Sequence, residues 1–316
     1  MKLKKSTITC FLLVLSVLIF TSCTTKETNL GFNVKKGEKY KIEQSIEQKI
    51  VQTLEGQSSE SNQVMNMEYT YDVTEVDQEG VASITTTFDK VVVDIKADGE
   101  SLQYDSSKEG ASNDPLGSVY KGIIGKSITM RIDKQGNVLD IQGVDALMSD
   151  LVNSLNIQDS QTKQSIEQAF EQNFGDEALK DSFSKVTKVY PPENTKVGDT
   201  WEDTQTINMG YPITVNNKYT LKEDQKEFLT IDMNSEIKTN GDAEPMDMMG
   251  IKARYDLNGT QTGSFKLNKN SGMAESGNST QKIVGSIVFE PSDIAPQGIT
   301  MPLTIDAKTS FQMTKQ

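Results

Sequence analysis

Met65-Asn66-Met67-Glu68-Tyr69-Thr70-Tyr71-Asp72-Val73 alternates apolar and polar side chains without a break. A period of two places Met65, Met67, Tyr69, Tyr71 and Val73 on one dry face and their neighbours on a wet one, as in an antiparallel sheet solvated on one side. The run ends in Asp77-Gln78-Glu79-Gly80, where glycine supplies the positive φ of a hairpin turn between two long strands. Outward from here the pattern recurs. Ile128, Met130 and Ile132 alternate before a second such turn, Asp133-Lys134-Gln135-Gly136. Leu229, Ile231 and Met233 alternate, as do Ile251, Ala253, Tyr255 and Leu257. The longest run carries Ile299, Met301, Leu303, Ile305 and Ala307, then Phe311 and Met313. Pro302 lies within it and lacks the N–H a ladder needs, which predicts an edge or bulged strand.

The middle of the chain changes period. Val144, Leu147, Met148, Leu151, Val152 and Leu155 follow helical spacing, and Ile166, Phe170 and Phe174, then Leu179, Phe183 and Val186, extend the theme until Pro191-Pro192. A shorter helix is predicted at 115–124 through Leu116, Val119, Tyr120 and Ile123. The fold expected is therefore α+β and mainly β. Long antiparallel strands form a curved sheet or half-barrel, with a helical block at 144–188 packed on it. Leu147, Leu151 and Leu155 are expected to face the sheet, whose dry face needs cover.

The sequence also repeats weakly. Lys36-Gly37-Glu38-Lys39-Tyr40 matches Val197-Gly198-Asp199-Thr200-Trp201 in its glycine, its acid and its aromatic residue, and both precede a strand. Asp133-Lys134-Gln135-Gly136 matches Asn268-Lys269-Asn270-Ser271-Gly272. Either a strand-rich unit is duplicated, giving one half at 34–143 and another at 189–316 on either side of the helical block, or turns that lead into strands have converged on similar residues.

The chain has 316 residues, 32 basic and 45 acidic side chains, and no histidine. Catalysis by Ser-His-Asp or Cys-His arrangements and every histidine metal site are thereby excluded. A formal charge of −13 argues against a nucleic-acid partner.

The N-terminus reads as an export signal over residues 1–22. Lys2, Lys4 and Lys5 precede the apolar run FLLVLSVLIF, Phe11 to Phe20, which is shorter than the roughly 20 residues a bilayer span needs. Thr21-Ser22-Cys23 resembles the lipobox of bacterial lipoproteins, with Phe20 where leucine is usual. The resemblance implies cleavage before Cys23, lipidation of that residue, and membrane attachment. Residues 23–33 would then form a polar tether. Thr24 in place of aspartate resembles outer-membrane cargo if the host has two membranes. Cys10 leaves with the signal, so no disulfide is available and stability must come from the core.

Segments VKKGEKYKIEQ (34–44), YDVTEVDQEGVASI (71–84), GKSITMRIDKQGNVLDIQGVDAL (125–147) and PPENTKVGDTW (191–201) resemble an uncharacterised group of bacterial envelope lipoproteins, defined only as a domain of unknown function. The resemblance carries no activity and no catalytic residue.

Candidate chemistry is sparse. Asp199, Glu202 and Asp203 surround Trp201 in a pattern a glycosidase could use, but the acids sit in a strand-start turn, where water-facing carboxylates beside a core indole are the plainer reading. Asp133–Gly136 and Asp242-Ala243-Glu244 lack the alternating acids of a calcium loop. Met246, Met248 and Met249 offer thioethers without His or Cys, which fits packing better than copper. No catalytic residue, metal ligand or cofactor is assigned, and Cys23 is the one assigned site. The expected function is non-enzymatic. In one reading an anchored lipoprotein holds a lipid or other hydrophobic ligand, its element order resembling periplasmic lipoprotein carriers with helices over a half-barrel. In the other, an envelope scaffold binds protein partners.

Overall fold

The computed structural model describes residues 30–108, 120–154, 189–208, 211–248, 251–292 and 296–316, with single positions between 160 and 180. Cys23 and the expected signal lie outside the described residues, as do Leu116, Val119, Leu155, Ile166, Phe170, Phe174, Phe183, Val186 and Met249.

Among the described residues thirteen strands form one sheet: β1 (Lys39–Leu54), β2 (Gln57–Val76), β3 (Ala82–Ala97), β4 (Glu100–Asp105), β5 (Ser127–Ile132), β6 (Val138–Gln142), β7 (Thr200–Asn208), β8 (Pro212–Asp224), β9 (Phe228–Thr239), β10 (Met246–Met248), β11 (Ile251–Asn268), β12 (Ala274–Phe289) and β13 (Ile299–Lys315). One helix is described in full, α1 (Val144–Ser154). The sheet is antiparallel, curved and open, in the order β6-β5-β3-β2-β1-β13-β12-β11-β9-β8-β7. Beside this path β4 pairs with β3 and β10 with β11.

This order makes the repeat visible. The first half is a meander of β1, β2, β3, β5 and β6, and the second a meander of β7, β8, β9, β11 and β12 laid down in the same direction, with β13 between them. The bulge after Val73 in the β2–β3 ladder has its counterpart after Leu221 in β8–β9. The bulge between Arg131 and Ile132 is matched between Lys266 and Leu267. Bulges re-aim a strand, so the two halves bend at corresponding points of their ladders.

β13 lies at the centre of the sheet, which overturns the edge expected from Pro302. The β1 ladder stops at Leu303, so Pro302 lies just beyond it and faces only Ser286 of β12. A proline is tolerated there because one side of the position carries no ladder. Glycines on the inner face permit tight coiling of β11 and β12: a Cβ at Gly259 would lie 2.6 Å from the Lys282 carbonyl oxygen, and one at Gly263 equally close to that of Asn278.

The outer face is wet and laced with exposed ion pairs such as Lys39–Asp72 and Lys49–Glu60. Such pairs contribute little to stability. The inner face holds the core. Val144, Leu147 and Val152 of α1 are buried, and Val144 and Met148 pack with Val138 and Ile141 of β6 and with Leu179. Leu151, expected to face the sheet, is only partly buried, and Val152 takes the deeper position at 1 % exposure. Asp176 fastens the helix start by accepting the Gly143 and Val144 amides, at 3.2 and 2.7 Å.

The last residues of the expected tether belong to the fold. Phe32 and Val34 are buried. The Phe32 amide donates to the Lys134 carbonyl in the β5–β6 turn at 2.7 Å, and the Asn33 amide to Ser271 in the β11–β12 turn at 2.8 Å. Residues 31–33 thus strap equivalent turns of the two halves together.

Candidate functional site

The inner face is not uniformly apolar. Following the ladders across the sheet, one line of opposed residues runs Asp203, Asn217, Ser235, Gln261, Gln281, Ala307, Gln48 and Gln63. All point inward, because they alternate with the solvated residues of the outer face. Asp203, Asn217, Ser235, Gln261, Gln48 and Gln63 are buried, as are Gln52, Gln205, Ser61 and Thr309 beside the line. A polar belt therefore crosses eight strands where a sealed core would carry Val, Ile and Leu.

The belt separates the apolar clusters. On one side Trp201, Tyr219, Leu221, Ile231 and Phe265 form a group closed by Tyr190, whose hydroxyl donates to the Gly272 carbonyl at 2.7 Å. The first half has its own group there, around Tyr40, Ile42, Val73, Ile84 and Met313. On the other side lie Ile50, Leu257, Ile283, Met301 and Ile305. A domain of this size ordinarily has one contiguous core.

In the second half the belt is internally bonded. Gln205 donates through Nε2 to Asp203 Oδ2 at 2.9 Å, and the Ser235 hydroxyl donates to Asn217 Oδ1 at 2.6 Å. In the first half the bonding is incomplete: Gln63 Nε2 donates to Ser61 Oγ, but Gln48 Nε2, Gln63 Oε1, Gln52 Oε1 and Thr86 Oγ1 are buried and have no partner among the described residues. Asp94 Oδ1, on the outer face, is a further buried atom with no partner among the described residues. Buried polar atoms are nearly always paired, so the three glutamine orphans together on the inner face mark a place where water or a ligand completes the bonding.

The acids around Trp201 separate by strand alternation. Asp199 caps its turn by accepting the Lys196 amide at 2.8 Å, and Glu202 is exposed on the outer face. Asp203 corrects the expectation that all three acids face water. It shares the inner face with Trp201 and is 8 % exposed. The three do not converge on one point. Trp201 stacks on Tyr219 with ring centroids 5.5 Å apart, and burial, followed by the charge of Asp203, pushes the Tyr219 hydroxyl well above its usual pKa. Burial likewise raises Tyr71, to about 12. Both therefore stay neutral.

Asp133 holds its turn by accepting the Asn137 amide and side chain, and Met246–Met248 forms β10 against β11. Among the described residues no group of three or more His, Cys, Asp or Glu side chains is placed to hold a metal ion, and no helix is long and apolar enough to cross a membrane.

Comparison with curated proteins returns no match. Among solved structures, one described as "Lipid-protein interactions in lipovitellin" is similar over 89 % of this chain and 26 % of its own, at 11 % identity and a TM-score of 0.46. The chain thus spans about a quarter of the lipovitellin chain it matches. An outer membrane channel from Pseudomonas putida F1 is similar over 92 % of this chain and 100 % of its own, at 5 % identity and a TM-score of 0.25. The translocator domain of the autotransporter NalP from Neisseria meningitidis gives 88 % and 90 %, with 7 % identity and a TM-score of 0.22. In sequence, residues 79–274 match the model of a family of unknown function, DUF6263. That match covers more than half of the protein, and the chain belongs to the DUF6263 family.

Proposed function

We propose that this protein is a non-enzymatic envelope lipoprotein, anchored through acylated Cys23, that holds a lipid or other hydrophobic ligand against the inner face of its sheet. The observation that carries the ligand reading is the polar belt with orphaned amides between separated apolar clusters. A scaffold has no need of such a belt, since filling the line with aliphatic residues would seal the core and remove the cost of burying unpaired amides. The anchoring reading rests on the short apolar run and Thr21-Ser22-Cys23. It places the fold at a membrane surface, of the outer membrane if the host has two. The six residues between Cys23 and Leu30, seven Cα steps in all, limit the reach to about 25 Å.

Organic extraction of the purified protein followed by mass spectrometry tests the ligand reading. A lipid recovered in stoichiometric amount from this protein, and absent from a lipoprotein purified in parallel, is the expected result. No recovered lipid, together with no saturable uptake of an apolar fluorescent probe, would leave the scaffold reading, in which partners dock along the edge strands β6 and β7.

A further inference from the structure

The first-half end of the belt defines what kind of ligand fits. Gln48 and Gln63 face each other directly across the β1–β2 ladder, each 5 % exposed. Residues opposed in this way have Cβ atoms about 5 Å apart, so two such amides can grip one small group. The Gln63 amide is oriented by its Nε2, which donates to Ser61 Oγ at 3.2 Å. Its Oε1 is left as an unpaired acceptor, beside the unpaired donor Gln48 Nε2. Gln52, four residues along β1 on the same face and 8 % exposed, adds a second unpaired acceptor, Oε1. Around them stand Ile46, Ile50, Ile95 and Ile305, all buried.

Hydrogen-bond donors and acceptors are thus available together without a buried cation. Asp203, at the far end of the belt, is the only charged side chain buried among the described residues, and it is acidic. An ionised carboxylate or phosphate brought to this face would lose its hydration and gain no counter-charge. A neutral group that both accepts and donates meets no such penalty.

Resting on the ligand-binding reading above, we infer that Gln48, Gln63 and Gln52 form the polar anchor of the site. Its ligand is an uncharged amphiphile whose ester or amide carbonyl accepts from Gln48 and whose hydroxyl or N–H donates to Gln63 or Gln52, as in an acylglycerol. The apolar clusters on either side of the belt receive its chains. Fatty acids and anionic phospholipids are the wrong class.

The test uses the full mature chain and three fluorescent probes of equal acyl length: a monoacylglycerol, a fatty acid and a phosphatidic acid. Each is titrated at neutral pH into wild type and into the double variant Gln48→Leu, Gln63→Leu. The monoacylglycerol is expected to bind saturably, and at least about tenfold more tightly than either anion. In the double variant that preference should fall to near unity. Its melting temperature should be unchanged or higher, because similarly sized apolar side chains replace amides that have no partner. A fall of several degrees would mean the amides are structural, and would overturn the inference. Equal binding of all three probes, or an unchanged preference in the double variant, would also overturn it while leaving the ligand-holding function intact. If no probe binds at all, the function itself fails.

Discussion

Gly37 and Gly198 occupy corresponding positions in two turns that are bonded alike. Their φ angles are 86° and 97°, and each amide donates to a carbonyl on the strand paired with the one it starts, Val73 at 2.8 Å and Leu221 at 2.7 Å. Val73 and Leu221 return the bond to the residue after each glycine, Glu38 and Asp199. The carboxylates of that acid pair then accept the amides of Lys35 and Lys196. Sequence separation between corresponding elements changes along the chain, yet the local bonding does not.

This equivalence predicts equal costs. A Cβ at either glycine meets nothing within 4 Å, so Gly37→Ala and Gly198→Ala carry only the backbone penalty of a left-handed alanine. Each is expected to destabilise by about 1–2 kcal/mol in urea unfolding. Costs that differ by more than about 1 kcal/mol would separate the two turns.

Much of the sheet was legible because its alternation is local. Met65 to Val73 and Leu229 to Met233 declare both faces, and the Asp77–Gly80 and Asp133–Gly136 turns declare their hairpins. Sheet order was not legible: β1 and β13 pair across almost the whole chain, and no local pattern records that choice. The belt was hidden by its own composition. On β1 the inner face reads Tyr40, Ile42, Gln44, Ile46, Gln48, Ile50 and Gln52, so its isoleucines recur every four residues and mimic a helix. Gln48 becomes conspicuous only when the ladder sets it against Gln63. Asp203 was missed for a simpler reason: it lies two residues after Trp201, and a strand returns it to the same face.

The helix predicts an ordering of costs. Val152 is buried at 1 % exposure, whereas Leu151 is only partly covered. Val152→Ala should therefore cost about 1–2 kcal/mol, and Leu151→Ala less despite its larger side chain. Chemical denaturation of both variants decides this, and the reverse order would mean the helix is rotated from the position described.

Glu38 predicts a pH dependence. Its pKa lies below the usual carboxylate value: burial raises it, but hydrogen bonds from Lys315, the Lys35 amide and Tyr40 outweigh burial. A depressed folded pKa stabilises fully above the unfolded value and is lost as pH falls through the folded one. Glu38→Gln should therefore cost on the order of 1 kcal/mol at pH 7, with the gap from wild type closing below about pH 4. Urea unfolding at a series of pH values from 7 down to 2 reads it, and a gap that does not narrow as pH falls would show that shape rather than charge is responsible.

The anchor is tested by fractionation. If Thr21-Ser22-Cys23 is processed as a lipobox, Cys23→Ala should move the protein from the membrane to the soluble fraction. A variant that stays with membranes after a carbonate wash would show that acylation of Cys23 is not what holds it.

The strap between the halves yields the most specific prediction. Gly272 has φ 69°, and a Cβ there would lie 2.2 Å from the Gly31 carbonyl oxygen and 2.7 Å from the Tyr190 hydroxyl. Gly272→Ala thus incurs two costs. The left-handed backbone costs about 1–2 kcal/mol wherever it occurs, while the clash is with Gly31 backbone and is relieved only if residues 31–33 lift away. Lifting them breaks the Phe32 and Asn33 amide bonds and exposes Phe32, a side chain whose burial is worth about 1.5–3 kcal/mol. A chain starting at Val34 has already lost the strap, so Gly272→Ala in that background should cost only the backbone portion and the displacement of the Tyr190 hydroxyl from the new methyl. The cycle over wild type, the variant, the truncation and their combination should therefore show coupling of at least about 1 kcal/mol, and limited proteolysis of Gly272→Ala should release the N-terminal segment first. Strict additivity, with no change in cleavage order, would mean the turn holds Tyr190 alone and the strap does not bind the two halves.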